Sequence, residues 1–371
     1  MNFIDLKTPF SKIKLDVYKR FDRIFENAEF INGKDVKEFE ESSSKYLNYK
    51  YCIGVSSGTD ALMVSMMSLG VNSNTKVFLP AFTYTATAEV ICLLGATPVF
   101  VDVSIESCNI DINSLNQSLE EHAKPNDIIL PVDLFGLPAD YDEIVPLSKK
   151  YNCKIIIDGA QSFGNEYKGK KNIDNISSFC TSFFPAKPLG CSGDGGAIYT
   201  DNEEFALICR SIKNHGMGKD KYDIKRIGLN ARLDTLQAAY LKEKLKFFDE
   251  EVNSKIRIYE KFSNKIDLLT PLKVNYESKS ACAQAVFKLP EKINNFKFKE
   301  ELSKKHIPSM IYYPKTVADQ TAYNKKSIIG SSLNNSKKLT NMTIALPFHS
   351  YLSQEEIEKI TDSSNEILNS L

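Results

Sequence analysis

Short apolar runs alternate with helical patterns along the first part of the chain. The runs show no alternation of polar and apolar positions, as in YCIGVSS from Tyr51, KVFLP from Lys76 and CKIIIDGA. Such runs are typical of strands buried on both faces. Helical patterns lie between them, as in GTDALMVSMMSLG, TATAEVICLLG and DYDEIVPLSKKY. This order of strands and helices predicts an α/β domain with a mainly parallel central sheet.

The pattern changes after GDGGAIYT. The stretch RLDTLQAAYLKEKLKFFDEEVNSKIRIYEKF predicts a long helical segment that leaves the first domain. A strand pattern (AQAVFKLP), a helix pattern (KFKEELSKKH), the extended SMIYYP and a final helix pattern (SQEEIEKITDSSNEILNSL) follow. We therefore predict a large domain over residues 1–245 and a smaller C-terminal α+β domain over residues 246–371.

Composition and charge narrow the class of protein. The 371 residues include 47 Lys and Arg and 47 Asp and Glu, so the zero net charge favours neither nucleic acid nor a membrane as partner. The eight cysteines form no CxxC pair, which favours reduced thiols over a metal site. The N-terminus lacks a signal-peptide pattern, and Glu89, Gly95 and Pro98 interrupt the most apolar stretch. We expect a soluble, cytoplasmic protein without a metal site.

An aspartate ends one of the apolar runs. In IIIDGAQSFG, Asp158 follows three isoleucines and comes at the predicted carboxyl end of a strand. Ligands of open α/β sheets bind beyond these strand ends. A carboxylate there is largely desolvated and needs a cation or strong donors. Asp158 could equally cap the start of a helix, and this segment alone does not decide between the two.

Two further segments lie at the same predicted edge of the sheet. In SSGTDAL, small hydroxyl residues and Gly58 open a helix, whose free N–H groups can bind a phosphate or simply be capped. The segment is not a P-loop, because GxxxxGK[ST] is absent. In PAFTYTATAE, Phe82 and Tyr84 could stack on a planar ring or pack in the core.

A single lysine stands in the rigid segment FFPAKPLGCSGDGGAIYT. Pro185 and Pro188 restrict the backbone on both sides of Lys187. Four glycines follow, which let the chain pass close to another group. A phosphate-binding site, an aromatic ring, a desolvated aspartate and a rigid lysine at one sheet edge match pyridoxal 5′-phosphate (PLP).

These motifs, in this order and spacing, resemble the DegT/DnrJ-type nucleotide-sugar aminotransferases. The segments are SSGTDAL, PAFTYTATAE, IIIDGAQSFG, SFFPAKPLGCSGDGGA, KNHG and RIGLNARLDTLQAA, and the similarity runs from FIDLKTPF to LPFHSYLS. The resemblance implies PLP fold type I, the aspartate-aminotransferase fold, with a large domain and a smaller C-terminal domain.

The resemblance also implies roles for matched residues. Lys187 would form the imine with the cofactor and carry a proton between carbon atoms of substrate and cofactor. Asp158 would pair with the pyridine nitrogen and keep it protonated, and Gln161 would bind the phenolic oxygen of the ring. The other expected cofactor contacts are Gly58, Thr59, Asp60 and Ser182 at the phosphate and Tyr84 on the ring.

A second subunit is implied as well. In the family an asparagine from the partner subunit reaches the phosphate, and Asn230 in GLNARLD occupies its place, so a homodimer with its active site at the interface is expected. Residues expected to face the sugar nucleotide are Arg226, His215, Tyr312 and Tyr313. For these four, packing at the surface or at an interface is an equal alternative.

The implied reaction is transamination from L-glutamate to a keto-sugar nucleotide. Some relatives are dehydratases with histidine in place of the lysine, and Lys187 favours amine transfer. Within the family the chain is most similar to enzymes that aminate UDP-2-acetamido-2-deoxy-3-oxo-glucuronate for surface polysaccharides. It departs from them in IYYP at 311–314 and in KYDIKRIG, where histidines are usual. A 4-keto-6-deoxy sugar on UDP, GDP or dTDP, a 3-keto-6-deoxy sugar on dTDP, a PLP lyase and a non-catalytic regulator that binds PLP or sugar nucleotides remain alternatives.

Overall fold

The computed structural model describes residues 1–323 and 326–371, and an eight-stranded sheet lies at its centre. The strands are β1 (Tyr51–Val55), β2 (Lys76–Pro80), β3 (Thr97–Val101), β4 (Ile128–Ile129), β5 (Lys154–Asp158), β6 (Glu166–Tyr167), β7 (Ser178–Ser182), β8 (Gly196–Thr200), β9 (Thr270–Pro271), β10 (Ser278–Lys279), β11 (Ala285–Lys288), β12 (Ile328–Ile329) and β13 (Thr343–Leu346). The helices are α1 (Lys7–Asn27), α2 (Lys34–Leu47), α3 (Gly58–Ser68), α4 (Ala86–Leu93), α5 (Ile112–His122), α6 (Tyr141–Lys150), α7 (Glu203–Ile212), α8 (Thr235–Leu245), α9 (Phe248–Lys265), α10 (Asn295–Lys304), α11 (Asn334–Met342) and α12 (Gln354–Ser370).

The central sheet has the order β1-β8-β7-β5-β4-β2-β3-β12. Neighbouring strands from β7 to β12 are parallel, and β8 runs antiparallel to both β7 and β1. Helices follow most of the parallel strands, as the alternating sequence pattern predicts. The prediction of a mainly parallel α/β sheet is confirmed.

Both faces of this sheet are covered by apolar side chains. Along β2, Phe78 packs into the core on one face, and Val77 and Leu79 pack into the core on the other. Every residue of β7 and β8 is buried. Burial on both faces explains why these strands show no polar alternation in the sequence.

The predicted long helical stretch is two helices. Helix α8 ends at Leu245, and α9 begins at Phe248. Lys246 and Phe247 form tight turns, in which their N–H groups donate to carbonyls three residues earlier. The acidic first turn of α9 favours a helix start, because carboxylates stabilise the positive end of the helix dipole.

The C-terminal part of the chain adds a second sheet. Strands β13, β11 and β9 form an antiparallel sheet with its own core, to which α9, α10 and α12 contribute. However, β12 pairs with β3 in the central sheet, and β10 pairs with β6. Segments beyond residue 246 therefore also join the first part of the fold, and the division into 1–245 and 246–371 stays a prediction.

The remaining expectations concern membranes, metals and thiols. Among residues 1–323 and 326–371, no helix has the length and hydropathy needed to cross a bilayer. The same residues contain no group of three or more His, Cys, Asp or Glu suited to a metal ion. The eight cysteines are free thiols, and burial raises the pKa of Cys52 and Cys180 to about 12. Such thiols are poorly reactive near neutral pH.

Candidate active site

A cavity of about 490 Å³ opens at the carboxyl ends of the parallel strands. It lies where ligands of open α/β sheets bind. Nine of the predicted site residues line it, namely Gly58, Thr59, Tyr84, Asp158, Gln161, Ser182, Lys187, Tyr312 and Tyr313. Residues from distant parts of the chain therefore share one cavity.

Asp158, the last residue of β5, is almost fully buried at the base of this cavity. Its Oδ2 atom accepts a hydrogen bond of 2.7 Å from Thr87 Oγ1, and its Oδ1 atom accepts one of 3.1 Å from the Ala160 N–H. Burial raises the pKa of Asp158, while the two donors and the positive charge of Lys187 oppose that shift. Turns rather than a helix follow Asp158, so the helix-cap alternative is wrong.

Lys187 lies in a turn between β7 and β8. Its backbone N–H donates to the Phe184 carbonyl at 2.8 Å. A Cβ atom at Gly190 would lie only 2.2 Å from the Pro185 carbonyl oxygen, so glycine is required where the loop folds back on itself. Burial lowers the pKa of Lys187, and the carboxylate of Asp158 opposes this shift. A rigid turn therefore holds a partly desolvated amine near a buried acid.

The start of helix α3 forms another wall of the cavity. Ser57 caps the helix, because its Oγ atom accepts from the Asp60 N–H at 3.0 Å. The N–H groups of Gly58 and Thr59 belong to the first helical turn, which lacks intrahelical acceptors. A Cβ atom at Gly58 would lie 2.7 Å from Ser182 Cβ, so glycine lets the helix start approach β7 closely. This arrangement suits a phosphate.

Asp60 does not line the cavity with Gly58 and Thr59. Its N–H is bonded to Ser57, and its carboxylate accepts a hydrogen bond from Ser56 Oγ. Asp60 thus holds the turn that carries the free N–H groups of Gly58 and Thr59. Its direct contact with a cofactor stays a prediction.

Phe82 and Tyr84, the two aromatic residues that follow β2, have different environments. Phe82 is fully buried in a core cluster, whereas Tyr84 is 56% exposed and lines the cavity. The ring of Tyr84 lies 6.3 Å from that of Tyr313, measured between centroids. Packing in the core therefore applies to Phe82, and Tyr84 is placed where it could stack on a planar ligand.

Gln161 is fixed by two hydrogen bonds. Its Oε1 atom accepts from the Phe135 N–H at 2.7 Å, and its Nε2 atom donates to the Tyr313 hydroxyl at 3.1 Å. Burial raises the pKa of Tyr313, so this hydroxyl stays protonated near neutral pH. The hydrogen bond between Gln161 and Tyr313 joins two side chains that both line the cavity.

His215, Arg226 and Asn230 lie outside this cavity. All three are exposed in the segment that joins α7 to α8. The backbone there is ordered by an isolated bridge between Asn214 and Asn230 and by a hydrogen bond from the His215 N–H to the Leu229 carbonyl. None of the three lines the cavity, so the predicted contacts of Asn230 with a partner's phosphate and of His215 and Arg226 with the sugar nucleotide stay predictions.

The sequence did not single out several residues that shape the site. Thr87 binds Asp158, and Ile4, Asp194 and Gln284 line the cavity. Thr87 lies in PAFTYTATAE beside other threonines. The sequence shows no signal that distinguishes the threonine whose hydroxyl turns towards Asp158.

Asp133 is a further buried carboxylate next to the site. Its Oδ2 atom accepts from Ser162 and Asn165, both at 3.0 Å, and its Oδ1 atom accepts from the Ala139 N–H and the Tyr141 hydroxyl. Burial raises the pKa of Asp133 to about 6 against the effect of these donors. Asp133 ties the loop that follows Gln161 to the loop that follows β4.

The residues around the cavity fit PLP. The α3 start offers N–H groups for a phosphate, and close contacts at Gly58 and Gly196 leave no room for a Cβ atom beneath it. Asp158 offers a buried acid for a ring nitrogen, and Lys187 offers an amine with a lowered pKa. The fold and this site define a PLP-dependent enzyme of fold type I.

Comparison with known proteins identifies the family. The model of the DegT/DnrJ/EryC1/StrS aminotransferase family matches residues 12–364, and this chain belongs to that family. A DegT DnrJ EryC1 StrS aminotransferase from Brucella abortus superposes with a TM-score of 0.92 and 37% identity, covering 99% of each chain.

Two curated relatives match nearly the whole chain. UDP-2-acetamido-2-deoxy-3-oxo-D-glucuronate aminotransferase of Pseudomonas aeruginosa is 37% identical, over 97% of this chain and 98% of its own. dTDP-3-amino-3,6-dideoxy-alpha-D-galactopyranose transaminase of Aneurinibacillus thermoaerophilus is 31% identical over 98% of both chains. The predictions of the family, fold type I, an aminotransferase and PLP as its cofactor are confirmed.

Proposed function

We propose that this enzyme transfers the amino group of L-glutamate to C3 of UDP-2-acetamido-2-deoxy-3-oxo-glucuronate. The observation that carries the proposal is the 37% identity, over almost the full length of both chains, to the Pseudomonas aeruginosa enzyme named for that substrate. Lys187 and Asp158 in one cavity supply the groups that amine transfer requires.

Bound PLP supplies an electron sink for the carbanion that forms when the substrate loses a proton. Asp158 would hold a proton on the ring nitrogen. The hydrogen bonds from Thr87 and the Ala160 N–H fix both carboxylate oxygens and favour the ionised form. The shortage of water around Asp158 strengthens its attraction for a cationic partner.

Lys187 would act as nucleophile and proton carrier. Because burial lowers the pKa of its amine, a larger fraction is neutral near pH 7 than for an exposed lysine. In one half-reaction this amine would take a proton from the α-carbon of the donor and pass it to a carbon of the cofactor, and in the other it would take a proton from that carbon and deliver it to the sugar carbon that receives the amine. The rigid turn from Phe184 to Lys187 limits the positions that the amine can reach.

A second candidate substrate is a 3-keto-6-deoxy sugar on dTDP. The 31% identity to the Aneurinibacillus thermoaerophilus transaminase favours it. Tyr312 stands where the resemblance leads us to expect a histidine before the tyrosine of the uronate enzymes, and both Tyr312 and Tyr313 line the cavity. A cavity lined by tyrosine rings suits a less polar sugar better than it suits a sugar that carries a carboxylate.

The proposed assembly is a homodimer in the cytoplasm. Tyr222 and Ile227, which are 84% and 85% exposed, lie in the same segment as Arg226 and Asn230. Large exposed apolar side chains favour a covered surface. The product would be a diamino sugar for a surface polysaccharide such as lipopolysaccharide. Light scattering of the purified protein tests the assembly, and a monomeric mass would contradict it.

The substrate is tested with the PLP-loaded enzyme and nitrogen-15-labelled L-glutamate. The panel contains the UDP-3-oxo-uronate, the dTDP 3-keto-6-deoxy sugar and 4-keto-6-deoxy sugars. We expect the label at C3 of the uronate, detected by mass spectrometry and NMR, with formation of 2-oxoglutarate. Fastest transfer to another sugar would overturn the uronate assignment, and release of unlabelled dehydrated sugar would indicate a lyase.

A further inference from the structure

A second, small cavity of about 50 Å³ adjoins the active site behind Lys187. Ile4, Ala186 and Lys187 line both this cavity and the larger one. Its other walls come from the α8–α9 region and from the loop that follows β13. The two cavities therefore adjoin each other at the turn that carries Lys187. The smaller cavity has room for only a few atoms.

The small cavity is lined by basic groups that are shielded from water. Lys244, Lys255 and His349 are only 7%, 9% and 8% exposed. Lys244 Nζ donates to the Gly190 carbonyl at 3.1 Å. Among residues 1–323 and 326–371, the Lys255 ammonium makes no ion pair or hydrogen bond, and His349 Nδ1 is buried without a partner. Buried polar groups of this kind are normally satisfied.

Two acids line the small cavity, and each already accepts hydrogen bonds from the protein. Asp5 already accepts hydrogen bonds from the backbone and side chain of Thr8 and from the Lys7 N–H. Glu251 accepts from the Tyr351 hydroxyl at 2.6 Å. Both carboxylates that line the cavity with Lys244 and Lys255 are therefore already hydrogen-bonded, whereas the Lys255 ammonium makes no hydrogen bond or ion pair among the described residues. Burial and the charge of Lys244 both lower the pKa of Lys255, so an anion nearby would stabilise its protonated form.

The amino donor of the proposed function presents a matching anion. L-glutamate carries two carboxylates. Among the described residues that line the larger cavity, Lys187 is the one basic side chain. The α-carboxylate lies beside the reacting nitrogen, whereas the side-chain carboxylate lies farther away. An isolated ammonium in a confined space is a strong partner for such a carboxylate.

We infer that Lys244, Lys255 and His349 form a subsite that binds the side-chain carboxylate of the amino donor. The inference rests on the proposed use of L-glutamate. It also explains how one active site takes two unlike substrates, because the sugar nucleotide has no need of this subsite. The subsite selects a dicarboxylic amino acid over a monocarboxylic one.

The test uses the PLP-loaded enzyme and two unreactive acids, glutarate and pentanoate. They have the same chain, but a methyl group replaces one carboxylate in pentanoate. Calorimetry should show that the wild type binds glutarate at least about tenfold more tightly than pentanoate. Lys255→Met should lose this preference, and His349→Asn should weaken it. Lys261→Met, an exposed position on the same helix, is the matched control and should keep it.

Kinetics separate the subsite from general damage. In Lys255→Met the KM for glutamate should rise about tenfold or more, while the KM for the keto-sugar nucleotide stays within about twofold. An unchanged glutarate preference in Lys255→Met would overturn the inference, as would an equal loss for both substrates. Glutarate binding that depends on Lys255, without amine transfer to any sugar, would support the subsite and contradict the proposed function.

Discussion

Thr87 Oγ1 donates a 2.7 Å hydrogen bond to Asp158 Oδ2 inside the protein. The threonine comes from α4 and the aspartate from the end of β5, so this contact joins the two elements on the floor of the active site. The other carboxylate oxygen is held by the Ala160 N–H. Asp158 is therefore oriented before any ligand binds, and Thr87 is the side chain that sets this orientation.

Thr87→Val should impair the enzyme without altering its shape. The substitution removes one donor from a buried carboxylate, which raises the pKa of Asp158 further and leaves it less well oriented. We expect the rate of the glutamate half-reaction to fall about 10–100-fold, measured from the absorbance of the bound cofactor. Thr87→Ser keeps the hydroxyl and should stay within about threefold of the wild type. Equal loss in both variants would contradict the role of the hydrogen bond.

The amine of Lys187 should titrate below the range of an ordinary lysine. Burial disfavours its charged form and lowers its pKa from 10.5. In the cofactor-free enzyme, the reactive neutral amine is therefore gained as pH rises through this lowered pKa. Acetylation of Lys187, followed by mass spectrometry across a pH series, should show a midpoint below pH 10.5.

The charge of Asp158 opposes this shift, so Asp158→Asn should move the midpoint to still lower pH. Exposed Lys261 in the same digest provides the reference for reagent reactivity. A midpoint that stays fixed or moves upward in Asp158→Asn would show that the two side chains do not interact.

Arg20 on α1 forms ion pairs with residues of two other helices, α2 and α8. Its Nη1 atom lies 2.6 Å from Asp35 on α2, and its Nε atom lies 2.5 Å from Glu243 on α8. Asp35 and Glu243 are 0% and 2% exposed. Arg20→Met leaves both carboxylates with fewer cations in a buried setting, and we expect a loss of about 3 kcal/mol in the free energy of unfolding.

Urea denaturation of the PLP-loaded protein measures this loss. Lys19, the adjacent residue on α1, pairs with Asp16 in solvent, where its side chain is 78% exposed. Lys19→Met should change the free energy of unfolding by less than about 0.5 kcal/mol. If the two variants unfold at the same urea concentration, the buried ion pairs do not stabilise the protein.

The sequence allowed the central sheet and the lysine–aspartate pair to be predicted, because their signals are local. A run of isoleucines before Asp158 indicates a buried strand end, and prolines around Lys187 indicate a rigid turn. The break between α8 and α9 is not evident from the sequence, since Lys246 and Phe247 include no glycine or proline that would interrupt a helical pattern. The acidic first turn of α9 was the signal that could have revealed it.

Other features depend on contacts between distant segments. Strand β12 has two residues and pairs with β3, from which it is separated by more than half the length of the chain. Two residues are too few to give a periodic pattern that would predict a strand. Lys255 and His349 meet only through tertiary packing. Arg226 and Asn230 are exposed and lie outside the cavity of the single chain, so their predicted roles stay predictions.

Gly196 provides the last test, because it lets a strand pass directly beneath the phosphate-binding turn. It begins β8, and a Cβ atom there would lie 2.3 Å from the Ser57 carbonyl oxygen and 2.5 Å from its carbon. These are backbone atoms at the start of α3, so they cannot move without shifting the N–H groups of Gly58 and Thr59. Gly196→Ala should cost about 1–3 kcal/mol in the free energy of unfolding and weaken PLP binding about tenfold or more.

Gly193→Ala is the matched control for this substitution. Its Cβ atom would meet Gln237 Nε2 at 3.1 Å, and this is the end of a flexible side chain that can move aside. Absorbance titration of the cofactor-free proteins with PLP should give the Gly193→Ala variant nearly wild-type affinity. If Gly196→Ala retains PLP as tightly as Gly193→Ala does, the close passage of β8 beneath α3 is not what forms the phosphate site.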